Sequence, residues 1–390
     1  MSAMKIAIVR QRYNPYGGAE RFVARAITAL GREGVGVTVL ARDWREGGRD
    51  GGPVELLRCD PFHIGRVWRD RSFARAVCKT LAARRFDLVQ SHERIACCDV
   101  YRAGDGVHAQ WLINRSRALG PIGRLGLALN PYHRYLLGAE RRLFASRQLK
   151  AVICNSRMVR DQIRGHFGVA EERLHVIYNG VDLEAFHPHL RSERAALRAR
   201  LGIAADAMVY LFVGSGFERK GLPQLLNALP GLEKGELIVV GQDKRTAAMQ
   251  RLAARLGVSD RVHFAGAQDD VKPWYGTADC FVLPSLYDPF PNAALEAMAA
   301  GLPVITSTQC GAAECIEPGR SGAVCDALDA AGLLQCLQAI NAPAKARIMG
   351  EAAREAVAGL GLDRMAAQLA QLYRSLLMTE ALLPETGANA

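Results

Sequence analysis

The stretch that decides the fold is DCFVLPSLYDPFPNAALEAMAAGLPVIT, residues 279–306. The apolar run at 279–285 is typical of a buried strand, and AALEAMAA at 293–300 is typical of a helix. Asp288 and Glu296 lie eight residues apart, where the strand gives way to the helix. Ligands of open α/β sheets bind at the carboxyl ends of strands, and a helix N-terminus attracts phosphate. The two acids are therefore either ordinary surface residues or a site for a ligand with hydroxyls at both ends and phosphates between, such as a nucleotide sugar.

Strands and helices alternate along the rest of the chain as well. Short apolar runs bounded by turn residues predict strands at 5–10, 36–41, 87–91, 150–156 and 174–180, and at VYLFVGS, ELIVVGQ, RVHFAG, DCFVLPS and PVITS. Apolar residues at helical spacing predict helices at 17–31, 69–85 and 131–148. Residues 111–130 are expected to be irregular. This alternation predicts an α/β protein with two parallel sheets.

The length of the chain suits two domains, because 390 residues exceed one ordinary core. We place the first domain at residues 1–182 and the second at 183–361, since NGVDLEAFHP at 179–188 is rich in turn residues. A last helix is expected at 362–380, followed by a flexible tail at 381–390.

The positive charge is concentrated in the first half. The net charge is +11, but residues 1–200 contain 35 Lys and Arg against 19 Asp and Glu, whereas residues 201–390 contain 15 against 20. A basic half can bind anionic lipid, nucleic acid or a phosphorylated substrate. The alternative is an arginine-rich genome, which should act on both halves.

The cysteines and the apolar runs indicate what kind of protein this is and where in the cell it is expected. None of the ten cysteines forms a C-x2-C pair, so we expect no metal site, and Cys154 and Cys280 in apolar strands are expected to be small core residues. No apolar run reaches the roughly 20 residues that span a bilayer. The start, MSAMKIAIVR, lacks a signal-peptide pattern. We therefore expect a cytoplasmic protein.

A glycine pair near the N-terminus is the first of two further phosphate candidates. YNPYGGAERF joins the first predicted strand to a helix. Gly17 and Gly18 give a turn without side chains, on which a ligand can lie, and Arg21 would project from the first helical turn. An ordinary tight turn is the alternative.

The second phosphate candidate is LFVGSGFERKG at 211–221. A strand ends in a turn that contains Gly214, and Arg219 and Lys220 precede a helix. These two cations suit a departing diphosphate without a metal, and a solvated basic loop is the alternative. A dinucleotide-binding motif does not fit, because Arg219 occupies the position of its third glycine.

Together these motifs resemble the retaining glycosyltransferases of family 4, which have the GT-B fold. Asp288 and Glu296 match the family's E-x7-E signature, in which the first acid binds the donor sugar and the second binds the ribose. The chain departs from that signature in having Asp as the first acid and Phe290-Pro291 where Phe-Gly is usual. The glycine pair with its arginine matches G-G-x-x-R, and Arg219-Lys220 matches the family's phosphate clamp.

The resemblance covers nearly the whole chain and implies a fold and a reaction. The fold is two Rossmann-like domains that face each other across a cleft, the acceptor domain first, with the last helix crossing back to it. The reaction is transfer of a hexose, with glucose and UDP favoured, from a nucleoside diphosphate sugar with retention and without a metal or other cofactor. The implied catalytic residues are Asp105, Arg219, Lys220 and Asp288. The implied donor-binding residues are Gly17, Gly18, Arg21, Gly214, Gly266, Glu296 and Asn292, of which Asn292 is alternatively a helix N-cap.

The acceptor side is less specific. Asp105 lies between two glycines in DVYRAGDGVHAQWL, as in the branch of the family that acts on the lipopolysaccharide core, or it is a simple turn residue. His92, Arg115 and Arg117 are weaker acceptor-binding candidates. The resemblance is greatest to lipopolysaccharide core glucosyltransferase I-like proteins. It implies a glycolipid acceptor, contact of the basic first domain with the cytoplasmic surface of the inner membrane, and no nucleic acid partner.

Three competing functions remain open at this point. A nucleotide-sugar epimerase of the same fold would need no acceptor. A non-enzymatic protein that binds polyanions or membranes would explain the charge but not the two phosphate loops. A nicotinamide dehydrogenase would need the glycine spacing that the chain lacks.

Overall fold

The computed structural model describes residues 5–13, 35–44 and 55–382. Contacts divide the chain into two compact units, Met1–Gly180 together with Leu362–Ala390, and Val181–Gly361. The boundary placed after residue 182 from the sequence lies two residues beyond the observed one. The helix expected at 17–31 and most of the tail expected at 381–390 lie outside the described residues.

The first unit is built on a parallel sheet of seven strands. Its strands, with a separate short pair formed by β2 and β4, are β1 (Lys5–Val9), β2 (Arg12–Tyr13), β3 (Gly36–Ala41), β4 (Asp43–Trp44), β5 (Glu55–Arg58), β6 (Leu88–Ser91), β7 (Val100–Arg102), β8 (Ala151–Cys154) and β9 (Leu174–Val176). The order across the sheet is β5-β3-β1-β6-β7-β8-β9. The chain thus runs from the centre to one edge, returns to the centre and runs to the other edge, as in Rossmann folds.

The second unit repeats this plan with six parallel strands. They are β10 (Val209–Val213), β11 (Glu236–Val240), β12 (Val262–Gly266), β13 (Cys280–Leu283), β14 (Val304–Ser307) and β15 (Gly322–Cys325). Their order is β12-β11-β10-β13-β14-β15, so the order of the chain reverses between β10 and β13. Asp279 is buried just before β13 and accepts hydrogen bonds from Arg198 at 2.7 Å and from the Val209 N–H at 2.9 Å, which joins the two central strands.

Helices connect the strands of both units. They are α1 (Gly65–Ala82), α2 (His108–Arg117), α3 (Pro121–Leu129), α4 (Pro131–Phe144), α5 (Arg157–Phe167), α6 (Arg194–Leu201), α7 (Leu222–Ala228), α8 (Thr246–Arg255), α9 (Lys272–Thr277), α10 (Asn292–Ala299), α11 (Ala330–Ala339), α12 (Pro343–Val357) and α13 (Leu362–Leu382). Short 3₁₀ helices are Glu171–Arg173, Pro188–Glu193, Leu229–Gly231, Ser259–Arg261 and Gly311–Cys315. No helix among the described residues is both long enough and apolar enough to span a membrane.

The last helix packs on the first sheet. Its apolar side chains belong to the same core cluster as residues of β1, β3 and β8, and they are Met365, Leu369, Leu372 and Tyr373. The Tyr373 hydroxyl also donates a hydrogen bond to Gln90 at the end of β6. The predicted return of the last helix to the first domain is therefore confirmed.

The expectation of irregular structure at 111–130 is wrong. Residues 108–117 form α2 and residues 121–129 form α3, which has Pro121 in its first turn, where a missing N–H costs nothing. No residue of α3 is buried, and Ile122, Leu125 and Leu129 are exposed although they lie at helical spacing.

A disulfide bond between Cys78 and Cys97 was not predicted from the sequence. It joins α1 to the loop between β6 and β7 across a separation of 19 residues. The other cysteines of the described chain are free, and Cys154 and Cys280 are buried in strands, as expected.

Candidate functional site

The loops after β10 and β13 meet where the order of strands reverses in the second sheet. Ligands of doubly wound sheets bind at this point, outside the carboxyl ends of the strands. The first loop carries Arg219 and Lys220, and the second carries Asp288. Three of the four residues expected to be catalytic are therefore brought together by the topology of one domain.

Lys220 and Arg219 both form ion pairs with Asp288. The Lys220 Nζ lies 3.0 Å and the Arg219 Nη1 lies 3.3 Å from the same carboxylate oxygen, Asp288 Oδ2. Asp288 is only 6% exposed. Burial by itself would raise the pKa of this carboxyl, but the two cations outweigh burial, so the pKa of Asp288 lies below its usual range. Asp288 is consequently ionised and able to accept hydrogen bonds at neutral pH.

Backbone contacts fix the two loops against each other. The Leu286 N–H donates to the Arg219 carbonyl at 2.8 Å, which joins the two loops, and the Asp288 N–H donates to the Gln309 carbonyl at 3.0 Å, which joins the second loop to the one after β14. Gly221 has a φ of +81°, and a Cβ at this position would lie 1.9 Å from the Pro284 carbonyl oxygen. Only glycine fits there, because both the left-handed conformation and the close approach of the backbone exclude a side chain.

Glu296 lies on α10 with its carboxylate held by a tyrosine from α9. The Tyr275 hydroxyl donates to Glu296 Oε2 at 3.0 Å, and Tyr275 is fully buried. Glu296 is 6% exposed. Tyr275 was not among the residues predicted from the sequence, because a tyrosine in an apolar helix gives no signal of its partner.

The N-cap interpretation of Asn292 is wrong. Pro291 is the N-cap residue of α10 and Asn292 is the first helical residue. Asn292 is half-buried at the start of the helix, which leaves the donor contact as its predicted role.

The two predicted donor-binding glycines of the second unit lie at the ends of β10 and β12, which flank β11. The Gly214 N–H donates to the Val240 carbonyl, and the Gly241 N–H donates to the Gly266 carbonyl at 2.8 Å. Gly266 has a φ of +71° and no atom within 4 Å of the position of a Cβ, so its backbone lies open. Asp243, which the sequence did not single out, accepts the Gly216 N–H at 3.0 Å and steadies the turn that contains Gly214.

Gly17, Gly18 and Arg21 lie outside the described residues. Their predicted contact with the donor therefore stays a prediction.

In the first unit, Asp105 follows β7 and lines a cavity of about 370 Å³. Its side chain is 55% exposed, and its Oδ2 lies 4.0 Å from Arg10 Nη1. Arg94 donates to the Gly106 carbonyl beside it at 3.2 Å and to Glu140 at 3.0 Å. Glu140 in turn accepts the His108 N–H at 2.6 Å, which fixes the start of α2 behind the Asp105 loop.

The structure does not support His92 as an acceptor-binding residue. Its side chain is 4% exposed and lies 3.0 Å from the Gln90 side chain. Burial, with Arg102 and Arg10 nearby, lowers the pKa of His92 well below its usual value. A neutral, buried imidazole does not contact an acceptor at the surface.

Arg115 and Arg117 lie at the end of α2 and do not line the cavity that contains Asp105. The Arg115 guanidinium lies over the Trp111 ring at 5.6 Å. The arginines that do line the cavity are Arg10, Arg12, Arg69 and Arg94. Sequence analysis missed these four because they come from separate segments of the first domain.

Two sheets with Rossmann strand order, and paired cations and acids at the switch point of the second, define a GT-B protein. The chain belongs to the glycosyltransferases of family 4. The family model described as Glycosyltransferase Family 4 matches residues 16–185, and the model described as Glycosyl transferases group 1 matches residues 207–342. The resemblance identified from the sequence is confirmed.

Similar proteins include enzymes of lipopolysaccharide core synthesis. The lipopolysaccharide core biosynthesis glycosyltransferase LpsE of Rhizobium meliloti is 28% identical over 362 residues, which cover 90% of this chain and 96% of that protein. The lipopolysaccharide glucosyltransferase WaaG of Escherichia coli is 27% identical over 328 residues, 82% of this chain and 85% of that protein. A crystal structure of WaaG matches with a TM-score of 0.81 at 25% identity, covering 94% of this chain and 99% of that chain.

A relative with another acceptor is also similar. A D-inositol 3-phosphate glycosyltransferase of Streptomyces bingchenggensis is 32% identical over 254 residues, which cover 61% of this chain and 53% of that protein. The matches thus agree on glycosyl transfer and differ in acceptor.

We predict that Gly221→Ala disrupts the candidate site more than an equivalent change elsewhere. Gly202→Ala is the matched control, because Gly202 has a φ of +71° but no atom within 4 Å of a Cβ. Both changes should cost about 1–2 kcal/mol from left-handed strain, and only Gly221→Ala adds the clash with Pro284. Thermal denaturation should show a clearly larger loss of stability for Gly221→Ala. Equal losses would contradict the proposed fit of the two loops.

Proposed function

We propose that this glycosyltransferase moves glucose from UDP-glucose, with retention, to a hydroxyl of the lipopolysaccharide core or a related anionic glycolipid. The observation that carries the proposal is the network of Lys220, Arg219 and Asp288 at the switch point of the second sheet. The names of LpsE and WaaG support the choice of acceptor and, for WaaG, of glucose.

In this proposal the second unit binds the donor. Glu296, oriented by Tyr275, accepts hydrogen bonds from the ribose hydroxyls. The open backbone at Gly266 and the turn that contains Gly214 lie against the nucleotide, and Asp288 accepts hydrogen bonds from hydroxyls of the sugar. The N-terminal end of α10 adds a partial positive charge near the phosphates.

Arg219 and Lys220 stabilise the leaving diphosphate. The bond between the anomeric carbon and the UDP oxygen breaks, and negative charge grows on the phosphate. Both cations are held in place by the same carboxylate, that of Asp288. Two cations fixed in this way can stabilise the charge as a divalent metal ion would, so we propose that the reaction needs no metal. The acceptor oxygen forms the new bond on the same face of the sugar, and a phosphate oxygen of the donor takes its proton.

Asp105 orients the acceptor in this proposal. Its carboxylate is exposed at the cavity of the first unit, where it can accept a hydrogen bond from an acceptor hydroxyl.

We further propose that the protein works in the cytoplasm at the surface of the inner membrane and docks through α3. Ile122 is 89% exposed, and Leu125 and Leu129 on the same helix are also exposed. Arg124 lies between them, and the first half of the chain carries most of the positive charge. An apolar helix surface in a basic domain has the chemistry that binds anionic lipid surfaces.

Lys220→Ala should lower turnover of UDP-glucose by about 10²-fold or more, because it removes a positive charge that stabilises the leaving diphosphate. Lys234→Ala is the control, since Lys234 is exposed before β11, at the opposite end of the strands. Transfer of radiolabelled glucose to a purified core glycolipid measures both. Near-normal turnover of the Lys220 variant would remove Lys220 from the mechanism.

Replacement of Ile122 and Leu125 together by Asp should reduce sedimentation with phosphatidylglycerol vesicles several-fold, because two apolar side chains that would insert into the lipid are lost. Ile348→Asp is the control, as Ile348 is 66% exposed on α12 of the other unit. Unchanged vesicle binding by the double variant would contradict docking through α3.

A further inference from the structure

A second cavity lies beside the one that contains Asp105. Its volume is about 630 Å³, and α1, the loop after β6 and α4 supply its walls. The two cavities share lining residues, which are Ala74, Arg94, Ile95, Tyr135 and Ala139. The two cavities therefore adjoin each other.

The second cavity is lined by four arginines and no acidic residue. The arginines are Arg71, Arg75, Arg94 and Arg142. The first cavity differs, because Asp70, Glu93 and Asp105 offset its own arginines. The positive charge of the second cavity is thus not neutralised by its own walls.

Three of these arginines have no counter-ion in the described part of the chain. Arg94 is paired with Glu140, but Arg71, Arg75 and Arg142 form no ion pair with any described residue. Neighbouring arginines behave differently, since Arg69 pairs with Asp70 at 2.7 Å. Arg71 and Arg75 also lie one helical turn apart on α1, where like charges repel.

Arg71, Arg75 and Arg142 are exposed and line the same cavity, so their guanidinium groups are accessible to an external anion. The planar guanidinium donates paired hydrogen bonds to phosphate or carboxylate. The cavity is larger than a lone phosphate needs and has room for a sugar ring, for which Tyr135 offers an aromatic ring and a hydroxyl.

A covalent link holds two walls of this cavity together. Cys78 on α1 lines the cavity and is joined to Cys97, three residues after Arg94 in the loop beyond β6. Arg71 and Arg75 therefore lie on a helix that packs directly against the loop that carries Arg94.

We propose that Arg71, Arg75 and Arg142 form a subsite for a phosphate or carboxylate group of the acceptor, next to the sugar that Asp105 orients. The inference rests on the proposed function and extends it. The enzyme would select an acceptor that carries an anionic group on a residue adjoining the one that is glycosylated.

The test compares Arg71→Ala/Arg142→Ala with Arg141→Ala. Arg141 is exposed on α4 beside Arg142 but lines neither cavity, so it controls for loss of charge. Glucose 6-phosphate and glucose are titrated calorimetrically into the full chain at low salt, with UDP in excess to occupy the donor site. The double variant should bind glucose 6-phosphate about tenfold or more weakly, since each lost hydrogen bond to a charged group is substantial.

Several results would overturn the assignment. These are unchanged affinity in the double variant, an equal loss in Arg141→Ala, or equal binding of glucose and its 6-phosphate. Sedimentation with phosphatidylglycerol vesicles distinguishes the source of the anion. Loss of vesicle binding in the double variant, with affinity for glucose 6-phosphate intact, would assign the arginines to a lipid headgroup and overturn the acceptor subsite.

The same titrations separate this inference from the proposed function. UDP is titrated alone into the unaltered protein. Failure to bind UDP would refute the donor site in the second unit, whereas the comparison of the arginine variants would still decide the subsite in the first.

Discussion

The ion pairs of Asp288 with Lys220 and Arg219 are the interaction on which the candidate site depends. They join the two loops that leave adjacent central strands, β10 and β13, at the switch point of the sheet. A carboxylate as buried as Asp288 is costly unless it is paired. The cations therefore keep Asp288 ionised, and Asp288 in turn holds both cations at the carboxyl ends of the strands before any ligand binds.

The two cations can pair with two different anions, Asp288 and the diphosphate of the donor. Lys220 and Arg219 neutralise Asp288 in the free protein, and in the proposed reaction they also neutralise the diphosphate. When the diphosphate attracts the two cations, Asp288 loses part of its ion pairing. Hydroxyls of the donor sugar then compensate by donating hydrogen bonds to Asp288. In the proposed reaction, binding of the sugar and stabilisation of the leaving group are then coupled through three side chains.

The sequence predicted features that are local and missed those that depend on distant partners. The strand at β13 could be predicted because its buried residues form an apolar run, and the acids and cations lie in the loops that such strands must leave. The helix α3 was missed because it contains Gly123 and Gly126, and glycine disfavours a helix. The burial of His92 could not be predicted, because its side chain lies beside Gln90, which Tyr373 contacts from 283 residues away. The role of Tyr275 could not be predicted, because its contact with Glu296 depends on how two helices pack.

The most direct test of the coupling is the affinity of Asp288→Asn for UDP and for UDP-glucose, measured by titration calorimetry. Asparagine keeps the size of the side chain but releases both cations. The account predicts that UDP binds the variant at least as tightly as it binds the unaltered protein, while UDP-glucose loses affinity relative to UDP and turnover falls. A loss of UDP affinity, or an unchanged preference for UDP-glucose over UDP, would contradict it.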